Sequence, residues 1–200
     1  MFRYYLTIIG VATAIVAALN ALFVPEPYAP WLLAVLTVVF VLAAFALDAV
    51  IACLTRALPK KLFAVERKRY AVSDKEKKCY DKLKIKAWKD KIPETGALLK
   101  IFDKTKVTSP EDPAYLALFL RETAYAEIMH IYSAPLGFIL LLFAPGALKW
   151  TIALPVILVN FFLQIPPVLV QRYNRHRLQK LYALQLRKKA RAEAAATTAE

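Results

Sequence analysis

Glycine is scarce in this sequence, with only four among its 200 residues. A soluble domain of this size rarely combines so little glycine with 59% apolar residues and a mean hydropathy of +0.44. The composition therefore disfavours a soluble globular protein and makes the lipid bilayer the expected solvent for much of the chain.

Cysteine and histidine, the residues of disulfide frameworks and zinc sites, occur only twice each. Cys53 ends an apolar stretch and Cys79 lies in a basic segment that we expect in the reducing cytoplasm, so we predict neither a disulfide nor a catalytic thiol. No cluster of the two residue types has zinc-site spacing. Glu127 and His130 have the Glu-x-x-His spacing of carboxylate-bridged metal sites, but a dinuclear site needs two such pairs. We therefore predict no bound metal.

Four long apolar stretches, at residues 4–23, 31–55, 131–147 and 148–171, dominate the sequence. An apolar helix of about 20 residues spans a hydrocarbon core of about 30 Å. The first stretch is longer than the apolar core of a secretory signal, so we expect it to be retained. The pattern predicts an all-α integral membrane protein with four transmembrane helices.

Positive charge is distributed very unevenly along the chain. A net charge of +13 on a soluble surface would suggest a nucleic-acid partner. Here, however, 17 of the 28 Lys and Arg residues lie at 56–112 and 8 lie from Arg172 onward, whereas the short connections 24–30 and 145–149 hold only Lys149. Because cytoplasmic loops carry the excess of Lys and Arg, we predict a cytoplasmic loop, tail and termini, and no nucleic-acid partner.

The apolar stretches and the distribution of charge together divide the chain into four predicted regions. Residues 1–55 form a hairpin of two membrane helices, and residues 56–112 form a basic cytoplasmic loop that either binds an anionic membrane surface or is simply solvated. Residues 113–177 contain an entry helix, which the Asp112 and Pro113 pair starts and Pro135 kinks, followed by spans three and four with the active site. Residues 178–200 form a basic amphipathic cytoplasmic tail.

Several polar residues are predicted to lie at one depth in the membrane. Residues 145–149 form a short turn, so spans three and four are antiparallel, and counting back from it puts His130 level with Gln164. The same count puts Arg121 and Glu122 level with residues 172–175. Asn160 and Gln164 share a helix face, as do Glu127 and His130. We interpret this group as a polar cleft in which His130 is a base oriented by Glu127, and the alternative is hydrogen-bonding between helices.

The densest polar motif follows at the end of span four. It consists of Gln171, Arg172, Tyr173, Asn174, Arg175, His176 and Arg177. Guanidinium groups bind phosphate through two parallel hydrogen bonds, which predicts a lipid phosphate or the phosphates of a nucleotide-like donor as the ligand. The alternative is ordinary arginine anchors at the headgroup level.

Three groups of residues are also shared, in order and spacing, with a known family. They are Trp88, Lys89, Asp90 and Lys91 followed by Pro93 and Glu94; Glu122, Thr123, Ala126, Glu127 and His130; and Val170, Gln171, Arg172, Tyr173, Asn174, Arg175, Arg177 and Leu178. Over residues 85–181 the chain resembles the glycosyl diaponeurosporenoate acyltransferase family, small bacterial membrane enzymes of carotenoid glycolipid synthesis.

The resemblance implies transfer of a fatty acyl group to a hydroxyl of a glycosylated lipid in the bacterial inner membrane. It implies an acyl-CoA-type donor as co-substrate, no bound cofactor, and membrane lipids and the glycosylated lipid acceptor as partners. The expected catalytic residues are His130, Glu127 and Asn160. The expected substrate-binding residues are Glu122, Gln164, Gln171, Arg172, Tyr173, Asn174, Arg175, Arg177, Trp88 and Asp90. Two alternatives remain open, another lipid-modifying transfer such as methylation, and a scaffold that binds anionic lipid.

Overall fold

The computed structural model describes residues 2–23, 28–92, 102–104 and 106–197, which are 84% helical and contain no strand. Six α-helices are present in this part of the chain: α1 Phe2–Phe23, α2 Pro30–Ala57, α3 Asp74–Lys82, α4 Ile85–Trp88, α5 Pro113–Leu136 and α6 Leu154–Thr197. Four described segments are long and apolar enough to cross a membrane: Leu6–Phe23, Pro30–Ala57, Pro113–Phe143 and Lys149–Thr197. The predicted all-α fold with four membrane helices is confirmed.

Proline and capping residues set several helix ends. The N-terminus of α5 is at Pro113, as predicted, and the Oδ1 of Asp112 accepts a hydrogen bond from the Ala114 amide at 2.8 Å. Near its other end, Pro135 lacks an amide hydrogen and crowds the preceding turn. The α-helix accordingly ends at Leu136 and gives way to the 3-10 helix Gly137–Phe143.

Helix α6 is much longer than the predicted fourth span. It includes Pro166 and Pro167 and continues to Thr197, so that the described part of the predicted tail is its direct continuation. The tail is rich in Leu, Gln, Lys, Arg and Ala, all of which favour helix. At 1.5 Å per residue, 44 residues extend for about 66 Å, which is twice the thickness of a hydrocarbon core. Only part of α6 is therefore needed to cross the membrane.

The chain divides into two compact units. Unit 1 is Met1–Leu58, Lys91–Pro93 and Ile128–Val168, and unit 2 is Pro59–Asp90, Glu94–Glu127 and Leu169–Glu200, so α5 and α6 contribute residues to both. In unit 1, α2, the 3-10 helix and the residues from Lys149 onward share an apolar core that includes Leu33, Leu140 and Ile157. The Nδ2 of Asn20 on α1 donates to the Thr151 carbonyl at 2.7 Å, which ties α1 to the π-helix Lys149–Ala153.

Unit 2 shows that much of the predicted basic loop is a folded structure. Tyr70, Tyr80 and Ile85 are buried, with 2%, 7% and 0% of their surface exposed. The side chain of Gln179 on α6 accepts from the Val72 amide at 3.2 Å and donates to the Tyr70 carbonyl at 3.1 Å. These apolar and aromatic residues therefore form a protein core, and the charged residues of the segment lie around it.

Candidate active site

Unit 1 contains a chain of polar side chains from three helices. The Nδ1 of His130 on α5 lies 2.5 Å from the Oε1 of Gln164 on α6. The Nε2 of Gln164 donates to the Oδ2 of Asp48 on α2 at 2.8 Å and to the Oδ1 of Asn160 at 3.1 Å. The predicted alignment of His130 with Gln164 is confirmed, and the i, i+4 pair of Asn160 and Gln164 shares a face as predicted.

With an ionised Asp48 carboxylate, the hydrogen-bond pattern determines which nitrogen of His130 carries the proton. An ionised Asp48 carboxylate can only accept, so the amide nitrogen of Gln164 must face it. The amide oxygen of Gln164 then faces His130 and accepts the proton on Nδ1. The basic lone pair of the imidazole is consequently on Nε2, which is the protonation state that a general base requires.

Asp48 is a site residue that the sequence analysis did not select. It was visible only as an interruption of the second apolar stretch, and 116 residues separate it from Gln164. Its Oδ1 is buried, and the side chains of Ser133 and Asn160 lie beside the carboxylate. Carboxylates at membrane depth are costly and are usually functional. The signal that could have found Asp48 was therefore the charge itself.

Unit 2 contains an ion network built on Glu127. Arg172 donates from Nη1 to the Oε1 of Glu127 at 2.8 Å, and Arg175 donates from Nη1 to the Oε2. Arg172 also donates to Glu76 on α3, from Nε at 2.5 Å and from Nη2 at 3.0 Å, and Arg175 donates from Nε to the Thr123 hydroxyl at 3.0 Å. Both arginines thus pair with one carboxylate, Glu127. Glu127 lies five residues beyond Glu122, which was predicted to be level with these arginines, and the long arginine side chains span that distance of about one and a half helical turns.

The network occupies most of the hydrogen-bond donors of these two arginines, and the Nη2 of Arg175 is buried with no partner among the described residues. The side chains of Arg175 and Glu127 are 1% and 5% exposed, and two carboxylates balance the two guanidinium charges. Arg172 further donates to Tyr80 and to two backbone carbonyls. Arg177 is exposed by contrast. The predicted phosphate-binding role of the three arginines stays a prediction.

Neighbouring side chains shift the pKa values of three residues on α3, namely Glu76, Tyr80 and Asp74. Hydrogen bonding from Arg172 lowers the pKa of Glu76, so this carboxylate remains ionised at neutral pH. Burial, together with donation to Glu76, raises the pKa of Tyr80 to about 12. Hydrogen bonds from Lys180 and His176 lower the pKa of Asp74 to about 2. Glu76 and Tyr80 were not selected from the sequence, because only the fold brings them to α6.

The remaining described residues that were predicted to bind substrate lie in unit 2. Glu122 and Gln171 are buried, Asn174 is half-buried, and the ring of Tyr173 lies 4.4 Å from Lys77 Nζ. Trp88 donates from Nε1 to the Leu83 carbonyl at 3.1 Å, and Asp90 forms an exposed ion pair with Lys89 at 3.2 Å. Pro93 and Glu94 lie outside the described residues. The binding roles of all these residues stay predictions.

One comparison with known proteins identifies a family. A family model described as glycosyl-4,4'-diaponeurosporenoate acyltransferase matches residues 59–184. No curated protein and no solved structure matches the chain. The matched region includes His130, Asn160 and Gln164 but begins after α2, so Asp48 lies outside it.

Proposed function

We propose that this chain, which belongs to the glycosyl-4,4'-diaponeurosporenoate acyltransferase family, transfers a fatty acyl group from a thioester of the acyl-CoA type to a hydroxyl of a glycosylated lipid. The family is one of acyltransferases in carotenoid glycolipid synthesis, and four apolar helices fit a membrane enzyme. The observation that carries the proposal is the hydrogen-bonded His130, whose tautomer suits it to remove a proton from a hydroxyl.

The reaction is a direct acyl transfer. The acceptor hydroxyl gives its proton to the Nε2 of His130 while its oxygen attacks the thioester carbonyl carbon. A carbon–oxygen bond forms and a tetrahedral oxyanion results. The carbon–sulfur bond then breaks with its electron pair on sulfur, and the imidazolium returns the proton to the thiolate. The products are an ester and a free thiol, so the step needs no other reactant.

Asp48, Asn160 and Gln164 assist the base in this scheme. The amide oxygen of Gln164 accepts a hydrogen bond from Nδ1 of the imidazole, and Asp48 accepts one from the amide nitrogen of Gln164. Asp48 thereby keeps the Gln164 oxygen facing His130, which keeps the proton of the imidazole on Nδ1. Asp48 and Gln164 are thus positioning residues. The Oδ1 of Asn160 accepts from Gln164, so the Nδ2 of Asn160 is the donor that would stabilise the oxyanion.

The activity can be tested with purified protein in liposomes. Acyl-CoA and a glycosylated lipid extract are supplied, and mass spectrometry detects the acylated glycolipid. Removal of a general base typically lowers the rate by about 100- to 10,000-fold, so His130→Ala should lose activity to that extent. Loss of one hydrogen bond between membrane helices averages roughly 0.6 kcal/mol, so the fold should survive.

His176→Ala is the matched control, since His176 binds Asp74 in unit 2 at 2.8 Å and has no place in this scheme. It should retain near-normal turnover. Near-normal turnover of His130→Ala would instead eliminate the base, and wild-type protein that forms no acylated glycolipid would overturn the proposed activity.

A further inference from the structure

An apolar groove lies in unit 1 between α1, α2 and α6. The space between these helices amounts to about 400 Å³, which includes the part that is open to the surroundings. The side chains that line it are mostly small or aliphatic: Ile9, Ala12, Thr13, Val16, Val41, Ala44, Phe45, Val156, Val159, Asn160 and Leu163. Protein interiors normally leave few voids larger than a water molecule. Small residues such as Ala12 and Ala44 therefore leave space that another molecule can fill.

The groove offers polar chemistry at one position. Among the described residues of its wall, Thr13 is the only polar side chain apart from Asn160, and its hydroxyl donates to the Ile9 carbonyl of its own helix at 2.8 Å. Asn160 belongs to both the wall and the polar chain, because its Oδ1 accepts from Gln164, the partner of His130. The groove is thus continuous with the proposed base through a shared residue.

A hydrocarbon chain fits this wall better than a polar group does. Apolar cavities stay dry and bind apolar ligands, whereas a sugar or phosphate would need several polar partners. On α6, Asn160 lies four residues from Val156, which corresponds to about 6 Å along the helix axis, so the first carbons of an alkyl chain that starts at Asn160 can lie in the groove.

We infer that the groove binds the alkyl tail of the acyl group that is transferred, with the thioester carbonyl at Asn160. The inference rests on the proposed function and adds a substrate-binding site to it. It assigns the acyl chain, rather than the chain of the acceptor or bulk phospholipid, to this groove. Ala12, Ala44 and their neighbours then set the preference of the enzyme for chain length.

Filling the groove tests this assignment. Ala12→Phe places a ring in the space, and Ala14→Phe, on the exposed face of the same helix, is the matched control. Values of kcat/KM are measured with hexadecanoyl-CoA and octanoyl-CoA against one acceptor. Because loss of a fitted apolar contact costs about 10- to 200-fold, Ala12→Phe should lower the long-chain value at least tenfold relative to the short-chain value. Ala14→Phe should leave the ratio of the two values unchanged.

An unchanged ratio in Ala12→Phe, or an altered preference for the acceptor chain instead, would overturn the inference. A second measurement uses wild-type protein and does not depend on turnover. A hexadecanoyl-CoA analogue with a diazirine near the end of its chain should label residues of the groove wall, and excess phospholipid should not prevent it. Labelling mainly of the exposed face around Ala14, or its loss to phospholipid, would show that the groove holds only bulk lipid.

The two proposals fail in distinguishable ways. Labelled groove residues without any acyl transfer would retain the chain-binding site and reject the proposed activity. Acyl transfer with an unchanged chain-length ratio and no labelling in the groove would retain the activity and reject the site.

Discussion

Glu127 is expected to be among the most important residues for the stability of unit 2. Each of its two carboxylate oxygens accepts from a different arginine, and one of those arginines, Arg175, is only 1% exposed. Glu127→Ala removes the one carboxylate that Arg175 contacts in the described structure and leaves its charge buried. Arg172 is less affected, because it keeps both hydrogen bonds to Glu76.

The size of the effect follows from this burial. Removal of one partner from a buried ion pair costs about 3–5 kcal/mol. We expect the lower value, about 3 kcal/mol, since Arg175 retains the Thr123 hydroxyl at 3.0 Å. A loss of 1 kcal/mol lowers the Tm of a chain of this size by about 2–4 °C, so the Tm of Glu127→Ala should fall by about 6–12 °C.

The assay is thermal unfolding of the purified protein in detergent, followed by the loss of helical circular dichroism. Asp74→Ala is the control carboxylate, because Asp74 also binds two side chains, those of His176 and Lys180, but is 76% exposed, and the Tm of this variant should change little. A Glu127→Leu and Arg175→Met double variant should recover most of the loss, since it removes both charges. A Glu127→Ala protein that melts within about 2 °C of wild type would refute the reasoning about buried charge.

Two further predictions concern pH and topology. The pKa of Glu76 is lowered from 4.5, so its contribution to stability is complete above that pH and is lost as the pH falls through the folded-state pKa. The difference in Tm between wild type and Glu76→Gln should therefore narrow below about pH 4.5, and a constant difference would contradict it. Cys79 is exposed and predicted to be cytoplasmic, so in a Cys53→Ser background an impermeant thiol reagent should label it only after cells are permeabilised. Labelling of intact cells would reverse the predicted topology.

Local patterns were sufficient to predict much of the fold. Four spans follow from long apolar stretches, and the start of α5 follows from the Asp112 and Pro113 pair. The alignment of His130 with Gln164 follows from a short turn and the fixed rise of a helix. Each of these predictions depends on residues that are close in the sequence or joined by one turn.

Contacts between distant segments account for what the sequence could not provide. Glu76 and Arg172 are 96 residues apart, and no spacing rule connects them. Without Glu76 and its neighbours, the arginine motif predicts a phosphate site, whereas the structure shows two of its arginines paired with carboxylates. The aromatic residues of the loop posed the same difficulty. Tyr70 and Tyr80 suit a headgroup region equally well until their burial in unit 2 is known.

Substitution of the polar chain of unit 1 tests whether the protein is an enzyme or a scaffold. A scaffold could use the chain as hydrogen-bonding between helices, and its three hydrogen bonds would then contribute about 2 kcal/mol at roughly 0.6 kcal/mol each. An active site instead retains costly polar groups for function, so apolar residues of similar size should leave stability unchanged or raise it. The variant that tests this combines Asp48→Leu, His130→Phe, Asn160→Leu and Gln164→Leu. We expect its Tm to equal or exceed that of wild type while acyl transfer is abolished. A Tm that falls by about 4–8 °C, the equivalent of 2 kcal/mol, would support the scaffold.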